Sequence, residues 1–152
     1  MNYKLIFAIE IIAFIFLSFM AAAVEGPSGG LFGRKTVYGI SGDMWLFVFA
    51  IPSFLLIPLV VKGFESKLFG VLLCGLFVGG ILQDFFWFVV NPNFGVGNFN
   101  SSSATWLAWL KAGSFEIPYF YVICAFLAAV SWFVFIRNSK MIDRYFQRIR
   151  SK

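Results

Sequence analysis

The chain has 152 residues, enough for one domain, of which 61% are apolar and only 12% charged, against roughly 45–50% and 25% in ordinary globular proteins. A soluble fold of this size has too little interior to hide so much apolar surface, so lipid is the expected solvent. The net charge of +5 is reached without a single histidine, which excludes His-ligated metals, His-bound haem and His general bases; beside long apolar runs it points to anionic lipid and not to nucleic acid.

Four runs are long enough to cross a bilayer as helices, which takes about 20 residues at about 1.5 Å each. The first is Leu5 to Val24, interrupted only by Glu10. It also has the look of a secretory leader, with Lys4 before it and Ala21-Ala22-Ala23 as a cleavage site. Glu10 inside the apolar stretch weighs against cleavage, and the expectation is a retained span. Glu25 to Gly42 follows, rich in glycine and therefore irregular. The second run, Met44 to Val61, is uncharged and holds Pro52 and Pro58, which bend a helix and free carbonyls. A short turn at Gly63-Phe64-Glu65-Ser66 makes it an antiparallel neighbour of the third run, Leu68 to Val90.

The third run carries Gln83 and Asp84. An acid near the bilayer centre costs about 2.5–3.5 kcal/mol, and one near a helix C-terminus also meets the wrong end of the dipole. No Lys or Arg lies within any of the four runs. Asp84 must then be protonated, hydrogen-bonded to a Trp or Tyr of a neighbouring helix, met by Arg34 or Lys35, or holding a cation. At helical spacing it shares a face with Phe77, Gly80, Phe88 and Asn91, with Trp87 one turn on. The other face carries Gly75 and Gly79, a GxxxG step that admits a second helix closely. Glu10 shares a face with Phe14, Leu17, Ser18 and Ala21, small enough in part to meet another helix. It is a second ligand or ion candidate, or else a partner for Lys4, Lys62 or Lys67. Glu10 and Asp84 fall at different depths, roughly 12 Å apart along the normal. They are two stations of a path at most, not one carboxylate pair.

The stretch Gln83-Asp84-Phe85-Phe86-Trp87-Phe88-Val89-Val90-Asn91-Pro92 resembles an acid-Phe-x-Trp-Phe-x-x-Asn-Pro pattern of small uncharacterised prokaryotic membrane proteins. The resemblance implies a prokaryotic cell membrane and a four-helix fold, and brings no activity or cofactor. Locally, Asn91 before Pro92 is disfavoured in helical geometry, so the helix should end there. Between Asn91 and Phe115, Ser103 as a cap and Gly113 as a stop predict an interfacial helix over 104–112, anchored by Trp106 and Trp109.

The fourth run is Ile117 to Ile136. Beyond it, 137–152 forms a basic tail in which Met141, Ile142, Tyr145, Phe146 and Ile149 share one face, so an amphipathic helix over 139–150 should rest on anionic lipid. Four crossings put Lys4, Lys62, Lys67 and the six basic residues of the tail on one side, and only Arg34, Lys35 and Lys111 on the other. By the positive-inside rule both ends are cytoplasmic. Asp43 and Glu116 then start the second and fourth helices at the level of Asp84. With Asn91 they would make an oxygen-rich ring suited to Ca²⁺, Mg²⁺ or Mn²⁺, although acids at helix starts need no ligand to explain them. Cys74 and Cys124 lie singly in apolar runs, as packing thiols do.

The expected fold is thus all-α: a single domain over 1–152, an integral membrane bundle of four helices near 5–24, 44–61, 68–90 and 117–136 with an interfacial helix at each side. No nucleotide loop, Ser-His-Asp set, HExxH or CxxC is present. Three functional classes remain: a binding or assembly module for lipid or other membrane subunits; a carrier or cation-binding protein using Asp84 and Glu10; and an outer-leaflet lipid-active enzyme working with carboxylates.

Overall fold

The computed structural model describes residues 2–25, 51–92 and 94–150. Three of its helices are long and apolar enough to cross a membrane: Tyr3–Ala22, Ser66–Val90 and Tyr119–Arg137. In chain order the elements are α1 (Tyr3–Glu25), α2 (Ile51–Lys62), α3 (Ser66–Val90), a single 3-10 turn (Val96–Asn98), strands β1 (Trp109–Ala112) and β2 (Phe115–Pro118), α4 (Tyr119–Ser131) running on as a π-helical turn (Trp132–Arg137), and α5 (Ser139–Arg150). Of the second run only the part from Ile51 onward is described, within α2. Asp43, Arg34, Lys35 and the glycine-rich segment lie outside the described residues.

The centre of the fold is α3, against which α1 and α4 both pack. On α1, Glu10, Phe14, Ser18 and Ala22 recur every four residues and are all buried, the ridge that i±4 spacing makes. On α3 the matching groove is cut by small residues: Glu10 lies over Gly75 and Phe14 over Gly79. One step further on, the Ser18 hydroxyl donates to the Gln83 carbonyl at 2.8 Å. The two series rise together, so α1 and α3 run parallel. Parallel neighbours oblige the chain between them to travel back the length of the bundle, and α2 is the described end of that return.

Contacts with α4 run the other way. Gly70 meets Phe135 and Ile136, the Cys74 thiol donates to the Ala128 carbonyl at 3.3 Å, and Asp84 meets Tyr121, so α4 is antiparallel to α3. A Cβ on Gly70 would come within 2.6 Å of the Phe135 Cβ, and this close approach falls within the π turn. Its widened backbone is tied off by Asn138, whose amide donates to the Phe133 carbonyl at 2.8 Å.

The two ends of the bundle differ in chemistry. At the basic end, which carries Lys4, Lys62, Lys67 and Arg137, α5 tucks under the α2–α3 turn. Asp143 accepts from the Ser66 hydroxyl at 2.5 Å and from its backbone N–H, so an acid from α5 caps the start of α3. The rings of Phe64 and Phe146 close the same corner, 5.4 Å apart. Met141, Tyr145 and Ile149 remain more than half exposed, an apolar face turned outward.

At the aromatic end the expected interfacial helix over 104–112 is absent. In its place stands a β-hairpin, with Trp109 paired to Pro118 and Ala112 to Phe115. Gly113, at φ +64°, opens its two-residue loop, the first-position glycine of a type II′ turn. The span begins two residues later than the apolar run suggests, because Ile117 and Pro118 belong to β2. Rings fill the space between hairpin and helix ends: Phe88 lies 4.9 Å from Phe99, Phe99 5.0 Å from Trp109, and Phe94 5.2 Å from Trp106. Ala22, Trp87, Phe88 and Ala104 form the buried heart of this cluster.

Candidate functional site

Asp84 sits on the face of α3 that meets α4. Its Oδ2 accepts a hydrogen bond from the Tyr121 hydroxyl at 2.7 Å. Tyr121 is itself buried, and its ring lies 6.0 Å from Phe99. This is an acid held by a phenol of the neighbouring helix, one of the arrangements the sequence leaves open. Asn91, buried at 1% exposure, ends α3 in an extended conformation before Pro92, and its carbonyl accepts from the Gly95 N–H at 2.9 Å. It therefore turns the chain into the aromatic cap. Trp87 is one of the cap's buried rings, and its indole N–H finds no acceptor among the described residues.

Glu116 belongs to β2 and is spoken for. Its Oε2 accepts the Ser101 N–H at 2.6 Å, and its Oε1 accepts the Ser101 hydroxyl at 3.0 Å. Oε1 also pairs with Lys111, its cross-strand partner, at 3.2 Å. These donors, Ser101 first and Lys111 after it, hold its carboxyl below the usual glutamate range. The oxygen ring imagined around Asp84 thus has Glu116 committed to the hairpin and Asp43 outside the described residues. Among the described residues no group of three or more acids and cysteines is placed to hold a metal ion.

Glu10 is in the opposite situation. It is 3% exposed and packed on Gly75, and neither carboxyl oxygen has a hydrogen-bond partner among the described residues. No ion pair joins it to Lys4, Lys62 or Lys67 there; the one described ion pair is that of Lys111. The level of Glu10 is that of Gly75, nine residues before Asp84, which is about 13 Å along α3 and about 180° around it. Glu10 and Asp84 therefore lie on opposite faces of α3, with the helix itself between them.

Two apolar grooves flank α3 toward the basic end. One, of about 500 Å³, lies between α1, α2 and α3; Glu10, Ile9, Ile57, Pro58 and Leu72 line it, and Lys62 stands at its rim. The other, of about 800 Å³, lies between α1, α3 and α4, with Phe7, Val71, Cys74, Val78 and Trp132 along its walls and Lys4 and Lys67 at its mouth. Neither the grooves nor Asp143 is visible in the linear pattern. A lone acid in a basic tail was the one available hint for Asp143. Comparison with family models, curated proteins and solved structures returned no match.

Proposed function

We propose that this is a small four-crossing membrane protein, with both ends cytoplasmic, whose work is to bind: a module that holds lipid or a membrane partner along its flanks. The observation that carries this reading is where the polar groups go. Asp84 is engaged by Tyr121, Glu116 by Ser101 and Lys111, and Asp143 by Ser66. What is left open is two largely apolar grooves, with lysines toward the basic end and the Glu10 carboxyl on the lining of the smaller one. Such a surface suits acyl chains or an apolar helix, and among the described residues it offers no convergent set of reacting groups. The parallel course of α1 and α3 supports the fourth crossing, and the gathering of Lys4, Lys62, Lys67 and α5 at one end supports the orientation. The lipid-active-enzyme reading draws no support from Glu116, whose oxygens are already taken.

Extraction in a mild detergent followed by native mass spectrometry tests the proposal. The expected result is a population carrying a bound lipid or a membrane subunit in whole-number ratio. A bare monomer at every detergent concentration above the micellar threshold would reject it.

A second reading, a carrier or cation-binding protein, rests on Glu10 alone. A carboxyl buried beside a groove without a described partner is expensive to keep. If a cation is its partner, Glu10→Gln abolishes every cation-dependent rise in melting temperature while Asp84→Asn leaves it. Equal rises in both variants and the parent would remove this reading.

A further inference from the structure

The larger groove has a polarity and a length that select its occupant. Its walls are apolar from Val71 to Val78 on α3, faced by Phe7 of α1 and Trp132 of the π turn. Its mouth, at the basic end, holds two ammonium groups, Lys4 and Lys67. Neither makes an ion pair among the described residues. Lys67 is steadied over the Tyr3 ring, 4.8 Å from its centroid, and the Tyr3 hydroxyl is in turn tied to the Glu65 carboxylate. Glu65 and Asp143 line a separate cavity with Phe146, and neither is among the residues that line the groove. From Lys67 to Val78 is eleven residues, about 16 Å of helix. Half of a bilayer core is about 15 Å. A slot one leaflet deep, greasy along its length and doubly positive at its mouth, matches one acyl chain with an anionic headgroup above it.

We propose that the groove between α1, α3 and α4 is a binding site for one anionic phospholipid, its phosphate between Lys4 and Lys67 and one acyl chain lying along Val71, Cys74 and Val78. This rests on the binding-module reading above and names its ligand. It is distinct from the basic α5 surface, which would meet many headgroups without holding any one.

Full-length protein in dodecyl maltoside doped with phosphatidylglycerol or with phosphatidylcholine, analysed by native mass spectrometry, provides the test. One phosphatidylglycerol per chain is expected to outlast phosphatidylcholine. Lys4→Gln with Lys67→Gln should lower its occupancy about twenty-five-fold, the product of about fivefold per lysine. Ala129→Trp, at a position on the groove lining that faces outward, should block the chain and lower it too, without touching a charge. Lys140→Gln with Arg144→Gln should leave it unchanged, and glycerol phosphate without acyl chains should not displace it. Equal retention of the two lipids, indifference to the Lys4 and Lys67 changes, or loss through the α5 changes instead would overturn the site while leaving a binding module standing. A chain that retains neither lipid nor subunit would remove both.

Discussion

At the residue scale, Gly75 and Gly80 make a controlled pair. Both lie within α3, and helix propensity alone promises each a gain of up to about 1 kcal/mol on replacement by alanine. Their surroundings reverse one of the two signs. Among the described residues a Cβ at Gly80 meets nothing within 4 Å, whereas one at Gly75 falls on the Glu10 carboxyl. Gly80→Ala should therefore be neutral or stabilising in thermal unfolding, and Gly75→Ala destabilising by about 1–3 kcal/mol, the usual cost of overpacking. Shortening Glu10 to alanine in the Gly75→Ala background should restore part of the loss. Equal behaviour of the two glycines would mean that α1 does not lie in this groove. The same scale holds the Asp84 contact. Tyr121→Phe and Asp84→Asn should each cost about 1–2 kcal/mol. The double variant should cost less than their sum, with a coupling of about 0.5 kcal/mol or more. Strict additivity would break the pairing. The candidate positions themselves were legible, because an acid in an apolar run declares itself. Their partners were not: Tyr121 lies 37 positions from Asp84 along the chain, and nothing in the local pattern around either one names the other.

At the element scale, the segment after Asn91 shows where periodicity misleads. Trp106, Leu107, Trp109 and Leu110 fit a helical face, and Ser103 with Gly113 supply a cap and a stop. The same letters also spell a hairpin, since Gly113-Ser114 is a two-residue turn between WLKA and FEIP. Two features tip the balance to strands. Asn100 accepts from the Ser103 N–H at 2.9 Å and from Ser102 as well, which spends these serines in a side-chain turn and not as a helix cap. Trp109 donates its indole proton to the Ala104 carbonyl at 2.9 Å, folding β1 back over the turn. Three of the long apolar runs, by contrast, were legible as helices, because a lone segment of that length and composition has helix as its only open choice in hydrocarbon. The hairpin also carries a pH dependence. Glu116 titrates below its ordinary range through its bonds to Ser101 and Lys111. With a depressed folded value, the stability it contributes is present above the unfolded glutamate pKa and is lost as pH falls through the folded one. Trp fluorescence of the cap should accordingly change on acidification below the usual carboxylate range. Glu116→Gln should remove that step while lowering stability at neutral pH. A step that persists in Glu116→Gln would assign it to another group.

At the scale of the whole molecule, the arrangement of helices tests the course of the chain. The register Glu10–Gly75, Phe14–Gly79, Ser18–Gln83 fixes α1 parallel to α3. A helix that leaves the basic end and a second that leaves the same end need a return between them, for which α2 is the described part. The sequence allowed this through nine basic residues on one side and three on the other, but charge counting assigns sides only after the number of crossings is chosen. Parallel packing of α1 and α3 bears on that number separately from charge, because three alternating spans would set the middle one against both of the others. In a background with Cys74 and Cys124 replaced by alanine, single cysteines at Lys111 and at Lys140 should then react with a membrane-impermeant maleimide from opposite faces of sealed vesicles. Cysteines at Lys140 and Lys62 should react from the same face. Labelling of Lys111 and Lys140 positions from one face would leave α3 and α4 without a bilayer between their ends. The apolar flanks of α1 and α4, where Ile12, Phe16, Phe126 and Phe133 are more than half exposed, would then lack the hydrocarbon that makes such exposure tolerable.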